Sequence, residues 1–159
     1  MLRDAFPHAR VRNAGFRCLF VIESENDPLT LAADLEHQAH SFIGHITSVL
    51  SKTETNADAI SEAAVRIGTA HIGADESFCF RIHKRGSHGL AEDTGTLEKR
   101  IGSAIWSALQ QKYGKKPLVD LEHPDVSVVA EVLGPWTAIG ISKKVWKETK
   151  MEMPERRVS

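Results

Sequence analysis

Residues 118–143 read LVDLEHPDVSVVAEVLGPWTAIGISK. Residues 126–133 (VSVVAEVL) and 136–143 (WTAIGISK) are short, apolar and rich in β-branched side chains, which marks two strands. Gly134-Pro135 leaves room only for a tight turn between them. Upstream, LVDL (118–121) makes a further short strand, and Glu122-His123-Pro124-Asp125 makes the turn that follows it. Asp120 and Asp125 flank Pro124, where Asx-type turn bonds suit them better than acid catalysis.

Working outward, residues 77–83 (SFCFRIH) place Phe78, Phe80 and Ile82 on one face of a strand. That strand is expected to break at His83 into a basic turn, HKRGSH. Asp93, Thr94 and Thr96 are possible N-caps for a helix over 96–113, with Leu97, Ile101, Ala104, Ile105, Ala108 and Leu109 as its buried stripe. A shorter helix, 57–68, is capped by Asn56 or Asp58, carries Ile60, Ala64 and Ile67 inward, and stops at Gly68. Before it come strand 16–23, a helix opened by Asp27-Pro28 and ended by Gly44, with Leu29 to Phe42 on its apolar face, and strand 45–53.

The order is β-α-β followed by α-β-α-β-β-β. It predicts a mixed α/β (α+β) fold with helices on a sheet face, in two packed units meeting near residue 55. At 159 residues and 42% hydrophobic content, the chain suffices for one compact domain or two small subdomains. No apolar run reaches membrane-spanning length. The opening MLRDAFPHAR lacks a secretory h-region, which points to the cytoplasm. Cys18 and Cys79 fall in expected strands and read as buried free thiols.

The net charge of −1 averages two unequal halves. Residues 1–75 hold 6 Lys and Arg against 10 Asp and Glu, while residues 76–159 hold 14 against 11. The basic groups of the second half fall in runs. Arg81, His83, Lys84, Arg85 and His88 crowd one strand end, with Gly86 able to admit an anion to the backbone. Lys99 and Arg100 follow on the next helix, Lys112, Lys115 and Lys116 lie near its end, and Lys143, Lys144 and Lys147 close the last strand. Several such runs on neighbouring elements make a surface for phosphates or nucleic acid.

Catalytic signatures are missing: no nucleophile elbow, phosphate loop, dinucleotide-binding glycine motif or Cys-x-x-Cys occurs. Ser87-His88 has no acid placed to orient the imidazole. His37, His40 and His45 could supply metal ligands, but polar residues on a solvated helix end explain them better. Trp106 and Trp136 read as packing residues, with base stacking the lesser reading.

Three segments in order, FCFRIHKRGSHGL, TLEKRIGSAIW and VDLEHPDVSVVAEVLG, resemble a THUMP domain. The resemblance rests on the strand ending in Lys84-Arg85, on Glu98, Gly102 and Ile105 of the helix, and on Val119, Asp120, Leu121, Pro124, Asp125 and Val126. It spans about 57–148. It implies a truncated ferredoxin-like segment (1–55), a THUMP RNA-binding domain (56–148) with a mixed sheet, and a disordered tail (149–159). It further implies a tRNA-binding role at the acceptor CCA end. Arg81, His83, Lys84, Arg85, Gly86, His88, Lys99, Arg100, Lys143 and Lys144 would carry it. No catalytic residue, metal or cofactor is implied. Only 11 residues follow position 148, so chemistry is expected from a partner. The HKRG-x-H wording is similar to the stand-alone subgroup that serves tRNA cytidine N4-acetylation. A methyltransferase or sulfurtransferase partner, a small enzyme and a protein-interaction module are the alternatives.

Overall fold

The computed structural model describes residues 8–38 and 43–146. In chain order the elements are β1 (Arg10–Asn13), β2 (Phe20–Glu23), α1 (Pro28–Gln38), β3 (Ser48–Glu54), α2 (Ala57–His71) and β4 (Ser77–Arg85). Then follow α3 (Thr94–Tyr113), β5 (Leu118–Val119), β6 (Val126–Leu133) and β7 (Trp136–Lys143). β1 and β2 pair only with each other, and the remaining strands form a sheet in the order β3-β7-β6-β4-β5. β6 is parallel to β4 and antiparallel to β7, so the sheet is mixed, as expected.

β6 is central and buried on both faces, which is why its sequence runs apolar instead of alternating. Val126, Val128, Ala130 and Val132 join Phe78, Phe80 and Ile82 of β4 and Ile139 and Ile141 of β7 on one face. α2 and α3 pack there through Ile60, Ala64 and Ile67 and through Leu97, Ile101, Ile105 and Leu109. Ile60, Ile101 and Ile105 are fully buried. Each contributes about 1.5–3 kcal/mol relative to leaving it in water.

Asn56 caps α2 by accepting the Ala59 N–H at 2.8 Å, and Asp93 caps α3 by accepting the Thr96 N–H at 2.8 Å. Gly68, expected to stop the first of these helices, lies inside it. A Cβ there would stand 2.9 Å from Ile105 Cγ2, so this glycine lets α2 and α3 approach. The helix instead closes at His71, where the Ile72 N–H donates to the Gly68 carbonyl.

The segment before residue 55 departs most from expectation. Strand 16–23 is only β2, Phe20–Glu23, and its partner β1 was not foreseen. Residues 16–19 form the turn of that hairpin, so Cys18 is exposed at φ +58° instead of buried in a strand. Cys79 is buried, as read. α1 starts at Pro28 with the Thr30 N–H donating to Asp27 at 2.9 Å, and it buries Leu31, Ala32 and Leu35. Ala39, His40 and Phe42, placed on its continuation, lie outside the described residues, as does the expected tail at 149–159. β3 is hydrogen-bonded along β7, so this strand from before residue 55 forms an edge of the main sheet.

A candidate nucleic-acid interface at one end of the sheet

The topology gives the sheet two distinct ends. At the upper end lie the C-termini of β3, β4 and β6, the start of β7, and the first turns of α2 and α3. In open α/β sheets the space beyond the strand carboxyl ends is where ligands dock. At the lower end lie Ser77, Val126, Lys143 and the helix C-termini.

The sequence placed HKRG in a loop, but β4 continues to Arg85. His83, Lys84 and Arg85 pair with Glu131, Val132 and Leu133 of β6, so their side chains alternate between the two sheet faces. His83 and Arg85 turn away from the helices, and both meet Glu131. Its Oε1 lies 3.0 Å from His83 Nδ1, and its Oε2 accepts from the Arg85 guanidinium. Glu131 keeps only 9% of its surface exposed. A buried carboxylate needs such partners, and in return it fixes both basic side chains. His45 adds its ring edge-on to His83, with centroids 6.1 Å apart.

Lys84 points to the helix side, where its ammonium donates to the Glu92 carbonyl. The Glu92 side chain holds Arg100 at 2.9 Å, so one residue ties the strand end to α3. Arg81 sits lower on the β4 edge and donates to Glu98 at 3.2 Å and to the Leu121 carbonyl at 2.7 Å. Glu98 also accepts the Ile82 N–H at 3.1 Å, which satisfies a sheet edge that β5 is too short to cover. Lys99 projects to solvent, since Leu97 and Ile101 define the buried side of α3.

Gly86 has another reason than anion access. Its φ is +75°, and a Cβ there would lie 3.3 Å from Gly134 and 3.2 Å from the Phe16 ring. The Gly134 N–H donates to the Arg85 carbonyl at 2.8 Å, so Gly86 lets the β4 end lie against the β6–β7 turn. His88 Nδ1 accepts the Leu90 N–H at 3.0 Å, which occupies it locally instead of beside Ser87 as a base.

Lys143 and Lys144 do not join this cluster. Lys143 pairs with Val126, which is level with Phe78, six residues below Lys84 on β4. That is a separation of about 20 Å. The Lys144 N–H donates to the Asp125 carbonyl at 3.0 Å. Asp125 in turn accepts the Ser77 N–H at 2.8 Å, and Asp120 accepts the Glu122 and His123 N–H groups, in line with structural roles. Those bonds hold the Asp120 carboxyl below the usual range, as the Thr96 bonds do for Asp93.

Four residues that the sequence did not bring to this end belong to it. Glu131 was legible as a lone acid in an otherwise apolar strand, and Glu92 carried no signal. Lys52 of β3 lies with its Nζ 5.0 Å from the centre of the Trp136 ring, and Trp136 is 51% exposed instead of packed.

A family model for the THUMP domain matches residues 54–142, more than half of the chain. The chain belongs to the THUMP domain family. Its match starts at the end of β3 and takes in the upper end from Glu54 to Trp136, with Lys52 and His45 lying before it. Among solved structures, this THUMP chain is similar to PH1313 from Pyrococcus horikoshii Ot3, with a TM-score of 0.58 and 15% identity, covering 89% of this chain and 45% of that one. TrmN from Thermus thermophilus gives 0.53 and 18%, covering 88% and 39%. A 4-thiouridine synthetase solved with RNA and ATP gives 0.58 and 14%, covering 89% and 35%. At these identities the likeness is one of fold, and the chain spans less than half the length of each. No curated protein sequence matches the chain. No described helix is long and apolar enough to cross a membrane.

Proposed function

We propose that this protein binds tRNA through the upper end of its sheet and presents it to a separate modification enzyme. The observation that carries the reading is the coincidence of a THUMP match with a basic strand end that the fold holds in place. Lys84, Arg85, Lys99 and Arg100 lie on adjacent elements, β4 and α3, at the strand carboxyl ends. Phosphates reaching that end would meet Lys84 and Lys99 directly. They would compete with Glu131 and Glu92 for Arg85 and Arg100. The 4-thiouridine synthetase of similar fold was captured with RNA, which fits this use of the fold.

In this reading the chain is an adaptor without chemistry of its own, acting in the cytoplasm. The divisions are a ferredoxin-like segment to residue 55, the RNA-binding domain to 148 and the tail beyond. The partner is a tRNA cytidine N4-acetyltransferase, supported by the wording of residues 83–88. Deleting the gene and analysing tRNA nucleosides by mass spectrometry tests the assignment. Loss of N4-acetylcytidine alone is expected. Loss of a methylated or thiolated nucleoside instead would replace the partner, and modification of tRNA by the purified chain alone would make it an enzyme.

A further inference from the structure

The sheet face turned away from α2 and α3 ends in a row that neither the THUMP match nor the charge pattern explains. Cα partners across the strands place Arg85, Leu133, Trp136 and Glu54 side by side in that row. Directly opposed residues share a face, and this row alternates with Val132 and Thr137, which are fully buried toward the helices. One step down, the row reads His83, Glu131, Ala138 and Lys52. Trp136 is thus a large ring on the face away from α2 and α3, half exposed, with a lysine ammonium over it and a guanidinium in the same row.

We infer that Trp136 is a stacking platform for one unpaired nucleobase of an RNA strand, with Lys52 and Arg85 taking the flanking phosphates. The inference rests on the RNA-binding reading and names a contact within that surface. Three features select an unpaired base over other occupants. An exposed indole offers a flat apolar surface that any base can cover. Lys52 is already held at the ring, 5.0 Å from its centre, where a phosphate following a stacked base would pass. Glu54 and Glu131 stand in the same two rows, so the patch has no net excess of positive charge unless His83 is protonated. A rigid duplex would bring phosphates against those carboxylates, whereas a single strand can route around them. The contribution of Trp136 itself therefore comes from stacking, and the salt-dependent part of the contact comes from Lys52 and Arg85.

The experiment compares tRNA and a single-stranded RNA decamer with a blunt RNA hairpin, using wild type, Trp136→Ala, Trp136→Phe and Lys52→Ala, each checked by thermal melting. Trp136→Ala is expected to weaken decamer binding about five- to hundredfold, the range that loss of one stacked base supplies. Its slope of log K against log salt should stay unchanged. Trp136→Phe should recover most of the affinity, hairpin binding should be unaffected, and Lys52→Ala should lower the slope. Wild-type RNA binding that Trp136→Ala leaves intact would overturn the stacking site and leave the RNA-binding reading standing. A Trp136→Ala variant that instead changed mass in solution would assign the ring to self-association. Failure of the wild type to bind any of the RNAs would overturn both.

Discussion

The two ends of this sheet carry similar charged residues and use them differently. At the lower end, lysines close the structure. Lys112 donates to the Thr69 carbonyl at the end of α2, Lys115 pairs with Asp75, and the Tyr113 hydroxyl donates to the Ile72 carbonyl. These contacts satisfy helix-terminal and loop groups with local partners. At the upper end, the charged groups are held by a few acids, Glu131, Glu92 and Glu98, that organise them without burying them. Basic residues in a sequence therefore mark two jobs. What separates them is where the partners stand: helix-end carbonyls and a loop acid at the lower end, and at the upper end acids set among the strand carboxyl ends, with Lys84 on the Glu92 carbonyl.

Changes in the lower half should alter stability and leave RNA binding by the folded protein untouched. The largest effect is expected from Gly140→Ala in β7. A Cβ there would fall 1.7 Å from the Ser48 carbonyl oxygen, at the irregularity where β3 joins the sheet. Urea unfolding should show a loss of about 3 kcal/mol, since backbone must move. Asp125→Ala should cost about 1–3 kcal/mol by leaving the Ser77 N–H without its acceptor, again by urea unfolding. If either variant weakened RNA binding while still folded, the division between the ends would fail.

Glu131→Gln sharpens the comparison from the other side. It removes the charge that neutralises Arg85, so stability should fall by about 1–3 kcal/mol. The salt slope of RNA binding should steepen by up to about one as Arg85 is released to phosphate. The smallest effect expected is one of pH at the lower end. Burial pushes the pKa of His71 below its ordinary 6.5, with help from Lys143 and against Asp27. The unfolded chain then holds this proton more tightly than the folded one. Its contribution is present above pH 6.5 and is lost as pH falls from there toward the depressed value. His71→Gln should flatten the melting-temperature profile between those limits.

Much of the fold was legible because its signals are local. The β6–β7 turn, the Asp93 cap and the stripe from Leu97 to Leu109 depend on neighbours within a few residues, and they fall where the sequence put them. β1, RVRN, carries almost no apolar signal and exists only as the partner of β2, so it went unseen. The extension of β4 through Lys84 and Arg85 is imposed by β6, a strand about 48 residues away in sequence. The candidate site was half legible for the same reason. His83 to His88 were read as one basic run and Lys99 with Arg100 as another, but sheet order sends Lys143 and Lys144 to the far end and brings in Lys52, Trp136 and Glu131.

The most direct test of the central claim is the salt dependence of tRNA affinity in two double variants. Lys84→Ala with Lys99→Ala changes cations at the upper end and on the adjoining helix, and Lys143→Ala with Lys144→Ala changes the lower end. Each phosphate that the protein no longer neutralises should lower the magnitude of the slope of log K against log salt by about 0.7–0.9. A reduction of one to two such steps is expected for the first pair and none for the second. An unchanged slope in the first pair, or a reduction only in the second, would contradict that claim.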